Sequence, residues 1–256
     1  MLGKLELVLE TEDKRKFSYN KAVNLQSILM SEIDADYAQK MHVSQLHPYS
    51  QNIININENN VWTINTLDIE SENNIIETLC QEKFHKFKLE NDNTDVTVKE
   101  KKVTLISKED FIDKYYLNDS ERYFNICFET PAAFKSQNRY IFYPDMLLIY
   151  QSIMNKFDAV PGKMKIKSDE VLEQLIDNSY ITKYQLRSLN YNIGKSRISA
   201  FVGNITVKVN GPQPMVNLVN MIFHYGEYCG VGIKTGMGMG RIKLREMGGY
   251  NERRTD

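Results

Sequence analysis

The chain has few cysteines, no long apolar run and no metal-binding pattern. Its three cysteines, Cys80, Cys127 and Cys229, are odd in number and widely scattered. That excludes a disulfide framework and fits reduced thiols in a cytoplasm. No stretch approaches the ~20 apolar residues of a membrane helix, and Met1-Leu2-Gly3-Lys4-Leu5 lacks a signal-peptide core. No membrane association is expected. His-x-His, clustered carboxylates and paired cysteines are all missing, so no metal is expected. A serine nucleophile lacks its elbow motif. If the chain is an enzyme, metal-free acid/base chemistry without a cofactor is what remains.

What is present is an ordinary globular composition, 42% hydrophobic and 25% charged over 256 residues, enough for one large or two medium domains. The charge is uneven. Residues 1–160 hold 18 Lys/Arg against 25 Asp/Glu, and residues 161–256 hold 14 against 8. A basic C-terminal half suits a polyanion-binding face.

The periodicity repeats one element order. Leu2 to Glu10 alternates as a half-buried strand, and Asn20 to Ile33 has helical apolar spacing, with Ser18 or Asn20 as cap. Gln51–Asn57 and Val61–Ile69 form a hairpin around Glu58-Asn59-Asn60. Ser71 caps a helix to Cys80, and Phe84–Leu89 and Val96–Ile106 are strand. This is one β-α-β-β-α-β unit. It recurs as strand Arg122–Thr130, a helix opened by Pro144 and running to Phe157, strands Tyr180–Asn192 and Ser196–Val209, a helix opened by Pro212 and Pro214, and strand Met239–Arg245. The fold expected is α+β with two tandem ferredoxin-like (βαββαβ, RRM-like) domains: 1–115, then 116–247, with the boundary in the polar stretch 107–121 and a flexible tail at 248–256.

Five of the thirteen glycines lie between Gly230 and Gly240, together with Lys234, and Arg241 follows. A dinucleotide fingerprint needs strand, loop, then helix; here the order is helix, loop, strand. Gly-Ile-Lys-Thr resembles a Walker loop, but no helix can follow through three further glycines. Close backbone approach of Gly232, Gly236, Gly238 and Gly240 to a phosphodiester, beside Lys234 and Arg241, is the expectation.

His42 and His47 lie five apart between the first helix and the second strand, near Tyr37, Lys40 and Tyr49. A loop histidine titrates near neutrality. One imidazole would take a proton from a 2′-hydroxyl, the other would protonate the leaving 5′-oxygen, and a cation would stabilise the charged phosphorane. His85 reads as solvated and His224 as a core histidine. Arg187, Lys195, Arg197, Tyr191 and Lys208 mix cations with aromatics on two strands, a combination suited to RNA.

Three features together resemble the CRISPR-associated repeat-processing endoribonucleases (Cas family six) of the RAMP superfamily. They are Glu227 to Gly240 before the last strand, Glu129-Thr130-Pro131-Ala132-Ala133-Phe134 followed by Tyr143-Pro144, and the histidine after the first helix. The resemblance implies metal-independent cleavage of CRISPR precursor RNA within each repeat, leaving a 2′,3′-cyclic phosphate and a 5′-hydroxyl. It implies His42 as the catalytic histidine, with His47 as partner. Repeat RNA, as precursor and as guide, and a CRISPR effector complex are the implied partners, for a monomer or homodimer. Some relatives place a catalytic tyrosine where this chain has Met30; Tyr37, Lys40, His47 and Tyr49 are the alternatives. A non-catalytic RNA-binding RAMP subunit is the second reading.

Overall fold

In the computed structural model, residues 1–44, 46–162 and 164–246 are described. The expected tail 248–256 lies outside them. Alternation along the first strands puts Leu5, Leu7, Ile53, Trp62 and Ile64 on one face, where they are fully buried. Antiparallel pairing of β1 (Leu2–Thr11), β2 (Tyr49–Ile56), β3 (Asn59–Thr66), β4 (Lys86–Leu89) and β5 (Thr94–Ile106) gives a sheet ordered β2-β3-β1-β5-β4. Two helical layers cover its apolar face. The first is α1 (Ala22–Glu32), contributing Leu25 and Leu29. The second is the continuous stretch of α3 (Ile69–Ser71), a π-helical segment (Glu72–Glu77) and α4 (Thr78–Cys80), contributing Ile75, Ile76 and Leu79.

The second unit repeats the arrangement. β6 (Tyr123–Ala132), β9 (Ser179–Ile193), β10 (Ser196–Val209) and β11 (Ile242–Arg245) form a sheet ordered β11-β6-β10-β9. Without the added β4, both sheets have the ferredoxin-like order: fourth, first, third and second strand of the unit. α6 (Met146–Ala159) and α8 (Gln213–Cys229) bury Ile149, Ile153, Phe157, Val219, Ile222 and Phe223 against it. Each such side chain contributes roughly 1.5–3 kcal/mol on burial.

Several local expectations change. Asp34 caps an unforeseen helix, α2 (Ala35–Val43), by accepting from the Asp36 and Tyr37 N–H groups. Ser18 makes no side-chain cap bond. The hairpin turns at Asn57 and Glu58, both at positive φ, one residue earlier than expected. Asp68, not Ser71, is the N-cap of α3, and Ser71 completes its capping box. α5 (Lys108–Tyr115) occupies the polar stretch 107–121 and buries Phe111 in the second core. Pro144 precedes the α6 N-cap, Asp145, whose carboxylate accepts from Leu148 N–H. α7 (Asp169–Asp177) precedes β9, and a short hairpin, β7 (Phe134–Ser136) and β8 (Arg139–Ile141), follows β6.

The two units share buried contacts. Leu2 and Leu67 of the first lie in the apolar cluster of the second. Ser50 Oγ donates to Tyr228 O, and Asn65 Nδ2 to Glu227 O. No helix among the described residues is long and apolar enough to cross a membrane.

Candidate active site

The segment after α8 is built by its glycines, against protein. At Gly240, φ is +73°, and a Cβ would sit 1.9 Å from Val231 O. At Gly238 (φ +96°) a Cβ would meet Ala22 Cβ at 2.2 Å and the Tyr191 hydroxyl at 2.9 Å. A side chain at Gly232 would strike Ala133 O, and Gly236 faces the Tyr49 hydroxyl and the His47 ring. The close approaches expected toward a phosphodiester are therefore filled by this chain's own backbone and side chains. Gln51 Nε2 donates to Gly236 O at 3.0 Å while its Oε1 accepts from Trp62 Nε1 at 2.7 Å. Tyr191 Oη donates to Met237 O. The segment thus wedges between the units.

Its two cations separate. Lys234 is exposed and held in the left-handed region at φ +57°, an unusual conformation for a side-chain-bearing residue. Arg241 departs from the expectation of a free phosphate ligand. Its Nε lies 2.7 Å from Glu129 Oε2, its Nη1 donates to Asn52 Oδ1 at 2.8 Å and Thr63 Oγ1 at 3.0 Å, and its side chain is 15% exposed. Its charge is committed to joining the units.

The expected acid/base group also separates. His42 is not a loop residue; it is exposed in the last turn of α2. Tyr37 is buried in the first core, and burial, then Asp68 and Glu70, pushes its phenol well above the usual tyrosine range. Such a group does not ionise near neutral pH. Lys40 Nζ lies 2.6 Å from both carboxylate oxygens of Glu70. Tyr49 is fully buried, with its hydroxyl 3.5 Å from Gln26 Nε2, and Met30 packs at the edge of the same core.

His47 comes from the connection between α2 and β2, and its ring lies 5.6 Å from that of Tyr49. It lines a cavity of about 290 Å³ with Gln26, Lys156, Lys234, Thr235 and Gly236. No described residue lining it is a carboxylate. Burial, then the charges of Lys234, His42 and Lys156, hold the His47 imidazole below the usual histidine range. The neutral form, able to accept a proton, is therefore favoured near neutrality.

Lys156 went unforeseen; its only sequence signal is a cation three residues after Ile153, on an otherwise apolar helix stripe. The strand cations do not converge. Arg187 pairs opposite Val202 and Arg197 opposite Asn192, so the two arginines point to opposite faces of the β9–β10 hairpin. Lys195 is at its tip, and all three are exposed. His85 is exposed, and His224 packs against Tyr115 with Nδ1 2.9 Å from Glu227 Oε2.

Known proteins resemble this chain in sequence and fold. The family model of the CRISPR-associated endoribonuclease Cas6 matches residues 126–242. The CRISPR-associated endoribonuclease Cas6 of Streptococcus thermophilus is 34% identical over 225 residues, 88% of this chain and 91% of the relative. Its counterpart from Mycobacterium tuberculosis is 27% identical over 249 residues, 96% of this chain and 79% of the relative. The solved structure of Thermus thermophilus Cas6 (TTHB231) superposes with a TM-score of 0.71 at 20% identity, covering 96% of this chain and 98% of that one. A Cas6 (TTHB231) product complex gives 0.77 at 18% identity, covering 96% and 100%. The strand order, the glycine segment after α8 and the extent of the match to the streptococcal protein agree: this chain belongs to the CRISPR-associated endoribonuclease Cas6 family.

Proposed function

We propose that this chain cleaves CRISPR precursor RNA within each repeat by metal-independent attack of a 2′-hydroxyl on the adjacent phosphate. The carrying observation is His47, a half-buried imidazole lining a cavity with Lys234 and no described carboxylate. A cation-lined cavity of this size suits one phosphodiester better than a divalent ion, whose ligands would be carboxylate oxygens. Neutral His47 takes the 2′-hydroxyl proton. His42, exposed in the last turn of α2, protonates the leaving 5′-oxygen. Lys234 stabilises the charge that develops on the phosphorane. The products are a 2′,3′-cyclic phosphate and a 5′-hydroxyl. The RNA beyond the cleaved bond meets exposed cations on one face of the β9–β10 hairpin, with Lys195 at its tip, and the guide passes to an effector complex.

The test is single-turnover cleavage of the cognate repeat in EDTA. Cleavage is expected to persist in EDTA, and to stop with a deoxynucleotide before the scissile bond. His47→Ala is expected to slow it ~10²–10⁴-fold. Tight repeat binding with no turnover in wild type would instead make the chain a non-catalytic RAMP subunit.

A further inference from the structure

α6 turns two side chains toward the glycine segment. Ser152 and Lys156 are four residues apart, the spacing that stacks side chains on one helix face. Ser152 Oγ accepts from Gly232 N–H at 2.8 Å. Lys156 Nζ lies 2.8 Å from Gly230 O, 3.2 Å from Cys229 O, 3.3 Å from Gly232 O and 3.4 Å from Thr235 Oγ1. The residue is only 7% exposed, and none of these four oxygens bears a formal charge. A buried ammonium without a carboxylate is costly, and well-packed apolar replacements of buried charges are often neutral or stabilising. The carbonyls closing α8 offset part of the cost, because a helix C-terminus carries partial negative charge. Stability alone does not account for retaining a cation there.

Lys156 lines the same cavity as His47 and Lys234. Resting on the acid/base role given to His47 above, we propose that Lys156 is a positioning residue for cleavage: with Ser152 it fixes the backbone of 229–235, and it sets a cation in the cavity that His47 lines. Burial pulls its ammonium below the usual lysine range. The groups that face His47 are Lys234 from the glycine segment, His42 from α2, Lys156 from α6 and the Tyr49 ring from β2. Lys234 and His42 are exposed, so salt and the incoming phosphate screen them. A buried charge is screened far less, so Lys156 keeps its influence once RNA is bound. Its action is on the same side as burial: both favour the neutral imidazole.

The experiment titrates His47 by NMR in RNA-free protein, and measures single-turnover cleavage of the repeat from pH 5 to 8. The proteins are wild type, Lys156→Gln and Lys156→Arg. Lys156→Gln is expected to raise the His47 midpoint, and to move the acidic limb of the rate profile upward with it. Lys156→Arg keeps the charge and is expected to leave the midpoint in place. A pH-independent loss of rate in Lys156→Gln with an unmoved His47 midpoint overturns the proposal, since a merely structural lysine behaves so. If Lys156→Gln does not fold, the Lys156 ammonium is titrated in wild type. It must stay protonated across the His47 titration, and a neutral amine in that range also overturns the proposal. Wild type that fails to cleave removes the catalytic reading on which this rests. The His47 midpoints still report the electrostatic link, so the two failures are told apart.

Discussion

The two units meet at one cavity and hold their contributions in opposite ways. The C-terminal unit supplies a glycine segment tied at nearly every step: by Ser152 and Lys156 from α6, by Tyr191 from β9 and by Gln51 from across the interface. The N-terminal unit supplies His47 from a short connection, with its buried Nδ1 making no hydrogen bond among the described residues, while His42 stands outside the cavity lining at an exposed helix end. One side is preorganised backbone; the other is imidazole with latitude to settle on a substrate. Preorganised groups suit the charge that develops on a phosphate, because no reorganisation is then needed at the moment of reaction. Proton transfer tolerates adjustment, since catalytic hydrogen bonds often tighten only in the substrate complex.

The sharpest way to break this contrast is to loosen the fixed side. Arg241→Ala leaves Glu129 with only the more distant Arg245 at 3.9 Å and removes two contacts to Asn52 and Thr63. A loss of about 3 kcal/mol in urea-unfolding stability is expected, the low end for halving a largely buried pair. A loss below about 1 kcal/mol would mean the units are held by other contacts. Next comes Lys234→Ala, which leaves the fold intact. Repeat RNA should bind more weakly, with a salt slope shallower by about 1; an unchanged slope removes Lys234 from the phosphate.

The adaptable side is probed by acid. The folded His47 value lies below its unfolded value near 6.5, so the unfolded chain binds more protons. The stability this group contributes is complete above the unfolded value and is lost as pH falls through the folded one. The melting temperature should therefore drop between pH 7 and pH 5, and His47→Gln should flatten that drop. A drop of equal size in the variant assigns it to other groups. The smallest effect is expected at Lys40→Ala. Its pair with Glu70 is more than half exposed, and such pairs contribute less than about 0.5 kcal/mol. A large loss of cleavage in that variant would return Lys40 to the reaction.

The element order was readable because strand alternation and helix spacing are strong in both units. α2 escaped because Tyr37 and Met41 are its only buried residues, too few to print a period on nine positions. The site was legible in part. The glycines and His47 stand out as residue types, but sequence cannot say what a glycine lies against; at Gly238 a Cβ would meet Ala22 and Tyr191. Arg241 looked free because Glu129 is 112 residues away. Lys156 was hidden because a lysine in a helix reads as surface until the carbonyls it faces are known. The resemblance put His42 first and His47 as its partner, whereas of the two it is His47 that lines the cavity, a placement sequence does not give.

The bond from Gln51 to Gly236 spans 185 residues. Contacts so distant along the chain are slow to form, because loop-closure entropy must be met before they contribute. During synthesis His42 and His47 emerge well before residues 232–237, which form the facing wall of the cavity. A nascent chain at that stage carries the imidazoles without the glycine segment that faces His47. On the proposed reading, the site is completed only once the glycine segment has been made, so a nascent chain that stops before it has no competent site.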